Sequence, residues 1–427
     1  MQRVSDDGPD PDEFPEGFRP EDLFGGDPSG FLQQLMGMLS GGASGGFDQA
    51  TNMAMSIAAG GSGERNVDPV ERMSLEQLAR VAELQIAQAT GLRTSTSGSL
   101  TIAPVTRTDW VKKSMQAYRP ILELLATSMT SPQIEGGADP EMAMLEQMFA
   151  SLRPMMVSMT TGSMVGHLGS RALGTYDIPL PRSGSDELLV VVPNLNDLGE
   201  EWSLDAEDLR LWIALSEVAH HAVLIIPHVA GRMNDLLRQY TEAFDNDPSA
   251  LLGELGDFEP SGDFMEMQQQ LQSMLGDPSS VLGKMRSDRQ TALLPEMAAL
   301  TAAIVGYVDH IMDSIGANLI SSYGQLTEAL RRRRVTTSES DRFVERLLGL
   351  ELDQNLYDQG RSFVDGVVER AGEDGLAKLW ESAESLPTPN EIGAPGLWLS
   401  RLEVDFELDV EIDQSELDQL LEGDEEE

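Results

Sequence analysis

Apolar residues recur at intervals of three and four along most of this chain, the spacing that gives a helix one apolar face. The strongest such runs cover residues 68–89, 109–129 and 295–334. Asp68-Pro69 is typical of a helix start, because a capping aspartate precedes a proline in the first turn. Pro120 should break the second run, since proline removes a backbone hydrogen bond. Gly324 is a second expected break, within the third run. The pattern predicts a mainly helical protein.

Shorter runs of the same periodicity fill much of the remaining sequence. They cover residues 31–39, 47–59, 139–173, 204–221, 228–244, 263–285, 339–350, 354–371 and 375–380. Residues 194–201 lack this pattern and are expected to form a connection. Residues 92–104 are rich in serine and threonine and predict a loop with at most one short strand.

A β pattern is clear in one region. Residues 177–181 and 187–192 are extended in character and are separated by a turn at residues 183–185, and the second segment is apolar enough to be buried. Pro179 and Pro181 suit the edge of a sheet, because neither can donate to a neighbouring strand. This order predicts a sheet edge beside the helix that starts near Leu204. Extended peptides bind to such edges by strand addition.

Charge dominates the composition. The 427 residues include 72 acidic and 29 basic side chains, for a net charge of -43. A field of this sign repels phosphate, so we expect no nucleic-acid partner, and the candidate partner is an unidentified protein or peptide. The sequence has no run of about 18 apolar residues, so we expect no membrane insertion. The first residues lack the basic and apolar regions of a signal peptide, so we expect a cytoplasmic protein.

Cysteine is missing from the sequence, which excludes disulfides, thiolate metal ligands and a cysteine nucleophile. The two ends are strongly acidic. Residues 1–30 carry nine acidic side chains among prolines and glycines, a composition typical of disorder. Residues 402–413 alternate apolar and acidic side chains, which predicts either a strand or a disordered acidic tail that binds a partner.

One helical run carries candidate chemistry. It contains Ser216-Glu217-Val218-Ala219-His220, the spacing of an H-E-x-x-H zinc-protease helix with serine in the first histidine position. In such a helix two histidines share a face and bind zinc, and the glutamate is the general base for the metal-bound water. Glu217 and His220 therefore occupy the base and second-ligand positions, and Ser216 occupies a position without its ligand.

The same residues also have interpretations that need no metal. A lone histidine on an apolar helix face is often a buried side chain satisfied by hydrogen bonds. Glu217 and His220 have the spacing of an acid–base pair, but no nucleophile or oxyanion donor accompanies them. Ser216 lacks the strand-turn-helix setting of a serine nucleophile. His221 points about 100° away from His220 and does not replace residue 216.

Several segments together resemble the zincin-like family of hydrolases and zinc-dependent metalloproteases, one branch of which is associated with coenzyme F420 biosynthesis. The most similar part is C-terminal and includes Leu386-Pro387-Thr388-Pro389-Asn390-Glu391-Ile392. The segments that carry the resemblance are 174–181, 191–194, 209–227, 306–309, 346–350, 357–360, 363–364, 379–382 and 386–392.

The resemblance implies a zincin-like metallopeptidase fold, mainly α with a small β-sheet (α+β), and acidic disordered termini. It also implies a site made by H-E-x-x-H on one helix and a glutamate on a second. Glu217 would then be the general base and His220 a zinc ligand. The third-ligand glutamate falls on Val305, and Asp309 one turn later would support a ligand or substitute for one.

Zinc is thus the candidate cofactor. However, two of the three expected ligand positions are occupied by Ser216 and Val305, which are not zinc ligands. A catalytic zinc needs about three protein ligands and a water. Retaining it would require Asp309, His310 or His228 to approach His220. We therefore expect a pseudoenzyme of the metallopeptidase family, catalytically degenerate, that acts as a binding or scaffold module. The alternative is an active zinc-dependent hydrolase with an unconventional ligand set.

The expected organisation has three parts: a disordered N-terminus (1–30), a zincin-like domain (31–403) and an acidic tail (404–427). Within the domain we expect a helical part (31–173), a part with the edge strand and motif helix (174–335) and a helical C-terminal part (336–403). Four consecutive arginines, Arg331 to Arg334, predict either an anion site or a helix end paired with the many carboxylates.

Overall fold

The computed structural model describes residues 45–60, 63–128, 158, 160–182, 184–244, 286–336 and 339–404. Several predicted features lie outside these residues and are not described further. They are the N-terminus 1–30, the helix 31–39, residues 139–157 of the predicted helical region 139–173, the helix 263–285 and the acidic tail beyond residue 404.

Helices dominate the described chain, and a two-stranded parallel sheet accompanies them, so the predicted class of mainly α with a small β-sheet is confirmed. The elements, in chain order, are α1 (Gly45–Ala58), α2 (Pro69–Thr90), β1 (Thr101–Val105), α3 (Arg107–Ala117), α4 (Arg119–Ser128), α5 (160–171), β2 (Glu187–Val191), α6 (Val192–Glu201), α7 (Ala206–Leu224), α8 (Pro227–Glu242), α9 (Asp288–Leu319), α10 (Tyr323–Val335), α11 (Glu339–Leu347), α12 (Gln354–Ala377), α13 (Pro389–Ile392) and α14 (Pro395–Arg401).

The sheet differs from the predicted one. β2 is the buried strand expected at residues 187–192, but its partner is β1, with Ile102 opposite Leu188. Residues 177–181 form no strand, because the Asp177 side chain accepts the backbone N–H groups of Leu173 and Gly174 and turns the chain there. The two prolines that follow remove further strand donors.

Two predicted helix boundaries are wrong, and both predicted breaks are confirmed, since α9 ends at Leu319 and α10 begins at Tyr323, next to Gly324. Residues 192–201 form α6 and not a connection, since Pro193 fits the first turn of a helix. The long helix begins at Asp288, where Ser287 and Gln290 form a capping box, and Pro295 lies inside it. The chain breaks before Pro120, as predicted, with α3 ending at Ala117 and α4 starting at Arg119.

α7 lies at the centre of the described core. Every residue from 212 to 224 is buried, and the helix contacts α2, α8, α9 and β2. α9 is long and apolar enough to cross a membrane, and the bent pair of α7 and α8 passes the same test together. Most of the apolar stretch of α9 is nevertheless buried among other helices, as in the core helix of a globular domain.

α9 and α12 cross at two glycines. A Cβ atom added at Gly306 would lie 2.3 Å from the carbonyl oxygen of Gly360, and one added at Gly360 would lie 2.2 Å from the carbonyl oxygen of Ala302. The two backbones are therefore in direct contact, and neither position has space for a methyl group. This contact fixes the rotation of α9 about its own axis, and with it the direction of the face that carries Val305 and Asp309.

Substituting either crossing glycine should separate the two helices. We expect Gly306→Ala and Gly360→Ala each to lower the free energy of unfolding by about 1–3 kcal/mol, because the added carbon meets backbone that cannot rotate away. Chemical denaturation monitored by circular dichroism would measure the loss. Gly324→Ala in α10 is the matched control, since nothing lies within 4 Å of its added carbon. Equal stability of Gly306→Ala and Gly324→Ala would contradict the proposed contact.

Candidate functional site

Four polar side chains of the predicted motif lie within the buried part of α7. Ser216, Glu217, His220 and His221 are exposed by only 5%, 2%, 7% and 0%. Asp205 caps the start of this helix through two backbone N–H groups, so the helix register that places these residues is set at its first turn. Polar groups buried to this extent need hydrogen-bond partners inside the protein.

The carboxyl group of Glu217 is held by backbone N–H groups and does not face a site for a metal-bound water. Its carboxyl group accepts the N–H groups of Thr175 at 2.8 Å and of Tyr176 at 3.2 Å. Gly174 packs directly against it, since a Cβ atom there would lie 2.2 Å from Oε1. Burial raises the pKa of Glu217 to about 8, and the nearby carboxylate of Asp177 adds to the rise. Near neutral pH the group is therefore mostly a neutral acid.

His220 makes its hydrogen bond within α7. Its Nδ1 lies 2.8 Å from the carbonyl oxygen of Ser216, and its ring stacks near that of Tyr176 with the centroids 6.1 Å apart. Burial lowers the pKa of His220 to about 4, and the positive charge of Arg334 lowers it further, against the effect of the Ser216 carbonyl. The imidazole is accordingly neutral at physiological pH, the form that can bind a metal.

The second predicted helix of the site presents an ion pair. On α9, Val305 is buried and Asp309 follows one turn later. Both oxygens of Asp309 accept from Nη1 of Arg334, at 2.7 and 3.0 Å. The Arg334 guanidinium lies 6.0 Å from the ring of Trp212 and 5.3 Å from that of Tyr357. Burial acts to lower the pKa of Arg334, but the Asp309 carboxylate outweighs it and raises that pKa.

Trp212, Ser216 and His220 are four residues apart in turn, so they lie along one face of α7. The Arg334 guanidinium lies over the ring of Trp212 on this face, and it donates hydrogen bonds to Asp309 on α9. The guanidinium thus lies between the two helices that would supply the metal ligands. Sequence reasoning missed this arginine as a site residue, and its membership of the Arg331 to Arg334 run was the available signal.

The predicted pairing of the arginine run with carboxylates is confirmed. Each arginine contacts an acidic side chain, and one of the four, Arg333, pairs with a carboxylate outside α10 and α9. The pairs are Arg331–Asp313, Arg332–Glu328, Arg333–Asp177 and Arg334–Asp309. Arg333 also donates to the carbonyl oxygen of Arg171. These contacts join α10 to the turn that holds Glu217.

A buried chain of hydrogen bonds lies on the other side of α7. The Tyr176 hydroxyl is 2.7 Å from Nδ1 of His221, and Nε2 of His221 is 3.2 Å from Asp186. Burial lowers the pKa of His221, whereas hydrogen bonds from residues 96, 97 and 221 hold the pKa of Asp186 well below its usual range despite burial. A neutral imidazole therefore donates to the carboxylate and accepts from the phenol. Tyr176 is too buried for this hydroxyl to attack a substrate.

The other two candidate histidines have different surroundings. Nε2 of His310 lies 2.9 Å from Glu373 on α12. Burial lowers the pKa of His228, and Glu384 acts in the opposite direction. Across the part of the chain that the structure describes, no three histidine, aspartate or glutamate side chains are grouped so that they could hold a metal ion.

The edge of β2 beside α7 is already occupied. The backbone N–H of Val191 donates to the carbonyl oxygen of Leu173 at 2.9 Å, and that of Leu189 donates to the hydroxyl of Thr175 at 2.6 Å. Gly174 forms an antiparallel bridge with Val190. The expectation of a free edge for an extended peptide is therefore wrong on this side of the strand, because residues 173–175 take its donors.

Comparison with known proteins identifies the family and the fold. A family model described as zincin-like metallopeptidase matches residues 46–399. A solved structure from Chloroflexus aurantiacus, described provisionally as a hydrolase with a novel fold, is similar with a TM-score of 0.59 and 24% identity. The match covers 84% of this chain and 98% of that one, and at this identity it shows the fold alone. No curated protein matches the chain.

The raised pKa of Glu217 has a consequence for stability. Below its ordinary value of 4.5 the group is neutral in both folded and unfolded chains. Between that value and about 8 only the unfolded chain loses the proton, so its contribution to stability is lost as pH rises. We expect Glu217→Gln, which keeps the shape without the proton equilibrium, to gain stability relative to the wild type by up to about 1.4 kcal/mol per pH unit between about pH 5 and 8.

Urea unfolding of both proteins at several pH values would measure this difference. Glu201→Gln, at an exposed position on α6, is the control and should follow the wild type. Parallel stability curves for wild type and Glu217→Gln would mean that Glu217 is ionised in the folded protein.

Proposed function

The chain belongs to the zincin-like metallopeptidase family, and we propose that it is a catalytically inactive member that works as a binding or scaffold module. The observation that carries this proposal is the Asp309–Arg334 ion pair, whose guanidinium lies 6.0 Å from the ring of Trp212, on the α7 face that also carries Ser216 and His220. An organic cation is thus held beside both of the helices on which the family arrangement would need metal ligands. The link to the branch associated with coenzyme F420 stays a prediction.

The available donors do not fit a catalytic zinc. His220 is the one residue at the three ligand positions with a side chain that zinc favours, since Ser216 and Val305 occupy the other two. Asp309 is the obvious substitute, but both of its oxygens accept from Arg334. The side chains at these positions therefore do not support a metal-dependent hydrolysis.

Electrostatics oppose a metal in the same way. A divalent ion beside His220 would add two positive charges close to the guanidinium of Arg334. The nearby carboxyl groups offer little compensation, because Asp309 is paired with Arg334, Asp177 with Arg333, and Glu217 has its pKa raised to about 8. The balance favours the ion pair over zinc.

Glu217 is also a poor general base in this setting. Such a base needs an open path to a water or a substrate proton. Here the carboxyl group is 2% exposed and bound to two backbone N–H groups. The covered edge of β2 likewise removes the usual means of holding a peptide extended beside the motif helix. Without a metal site or an accessible general base, the proposed role of the domain is that of a binding or scaffold module.

Metal content tests the proposal directly. The full chain, purified without chelators from zinc-supplied cells, should hold far less than one zinc per molecule by inductively coupled plasma mass spectrometry. Neither His220→Ala nor the control His310→Ala should alter that content. Near-stoichiometric zinc that is lost in His220→Ala and retained in His310→Ala would contradict the proposal. It would favour the alternative, an active zinc-dependent hydrolase with an unconventional ligand set.

Rebuilding the site tests the part played by the ion pair. We expect Ser216→His with Val305→Glu to bind zinc at least tenfold more tightly when Arg334→Met is added, because the resident cation is then gone. Zinc titration monitored by the rise in melting temperature would report binding, with circular dichroism to confirm folding. Equal affinity with and without Arg334 would show that the guanidinium does not compete with a metal.

A further inference from the structure

An apolar stripe on α2 faces away from the core. Four large apolar side chains of this helix are exposed: Val70, Met73, Val81 and Leu84 are 74%, 60%, 41% and 55% exposed. Elsewhere in the described chain, large apolar side chains with comparable exposure occur singly, at Leu319 and Leu397. Single exposed apolar residues are ordinary, but four on one helix face, with Gln77 in the middle, mark an interaction surface.

The stripe is straight and narrow. At about 100° per residue, its four apolar side chains and Gln77 fall within an arc of about 80°. The buried side chains of α2 lie on the opposite face: Leu75, Ala79, Ala82 and Ile86. From Val70 to Leu84 the stripe extends about 21 Å along the helix. It has the dimensions of a seam between two packed helices.

The spacing of the stripe is palindromic. The intervals from Val70 through Met73, Gln77 and Val81 to Leu84 are three, four, four and three residues. A two-fold axis through Gln77 therefore places Val70 of one helix against Leu84 of an antiparallel copy, and Met73 against Val81. Each apolar side chain meets an apolar one, and the two Gln77 amides meet each other, where they can exchange hydrogen bonds.

We propose that α2 is a homodimer interface, in which the stripe packs antiparallel against the same stripe of a second copy of this chain. Self-pairing explains the palindrome, because an isologous contact requires the same surface to be complementary to itself. A different partner protein would require no such symmetry. This inference does not depend on the proposed function of the α7 site.

The charges beside the stripe have the same symmetry. Glu76 and Arg80 are exposed and lie on one flank of the stripe, and among the described residues neither is paired with an opposite charge. In an antiparallel pair, like flanks meet. Arg80 of one copy then lies within about two residues of the level of Glu76 in the other, and the reciprocal pair follows by symmetry. Two interchain Glu76–Arg80 ion pairs thus border the apolar seam, and they flank the two Glu76 carboxylates, which the same axis sets two residues apart in level.

α2 is capped at both ends and hydrogen-bonded to the rest of the chain without any partner. Asp68 caps its first turn and Gly91 ends it in a left-handed conformation with a φ of 66°. Glu71 accepts from Arg210 on α7 at 2.9 Å and from Asn196 on α6 at 3.0 Å. A preformed helix loses little conformational entropy on association, which favours docking through a narrow seam.

Because the chain has no cysteine, a single introduced thiol gives a clean test. Gln77→Cys should form a disulfide-linked dimer under mild oxidation of the full chain, since residue 77 meets its own copy at the axis. Arg72→Cys, exposed on α2 but away from the stripe, is the control and should link at least tenfold less. Val70→Cys should link poorly to itself and well to Leu84→Cys, a result that distinguishes antiparallel from parallel pairing.

Sedimentation equilibrium of the cysteine-free chain would test the same contact without a cross-link. Val81→Glu should weaken dimerisation at least tenfold, whereas Leu397→Glu on α14 should leave it unchanged. Glu76→Arg and Arg80→Glu should each weaken the dimer, and the double substitution should restore it.

A chain that stays monomeric at all concentrations would overturn the proposal, and the Gln77→Cys thiol would show the reason. A thiol that reacts rapidly with a soluble reagent would mean an open surface. A protected thiol in a monomer would mean that another segment of this chain covers the stripe. Dimers that persist unchanged in both Val81→Glu and the Glu76→Arg variant would place the interface elsewhere.

Discussion

The burial of α7 from residue 212 to residue 224 is the constraint on which the surrounding structure depends. A stretch of helix with no face toward solvent can carry polar side chains only where its neighbours supply hydrogen bonds. Thr175 and Tyr176 supply them to Glu217, and Tyr176 and Asp186 supply them to His221. The turn before β2 therefore has its shape because α7 needs donors and acceptors there, and Gly174 is the residue that lets the turn approach closely enough.

The sequence predicted local features well, because their causes are local. The Asp68 cap, the break before Pro120 and the helical class each follow from a few neighbouring residues. The motif on α7 was also recognisable from spacing alone. The pairing of β1 with β2 was missed, since parallel strands are joined through a long intervening segment that no local pattern specifies.

The dependence on contacts distant in sequence also explains why the chemistry of the site could not be predicted. Glu217, His220 and Asp309 were chosen from a motif, but the groups that decide their chemistry lie far away in sequence. Tyr176 comes 45 residues before His221, and Arg334 comes 25 residues after Asp309. A buried carboxyl group with a raised pKa and an arginine locked to the expected supporting carboxylate change what the motif can do. Neither property can be deduced from H-E-x-x-H spacing, because both arise from tertiary packing.

The arginines of α10 also bear on the order in which the fold can assemble. Arg333 reaches residues 171 and 177, about 160 positions earlier in the chain, while Arg334 reaches Asp309 on the preceding helix. Contacts so distant in sequence carry a large loop-closure entropy and gain nothing until both of their ends are structured. The helix that closes the space between α7 and α9 is thus tied by contacts that only a nearly complete fold can offer.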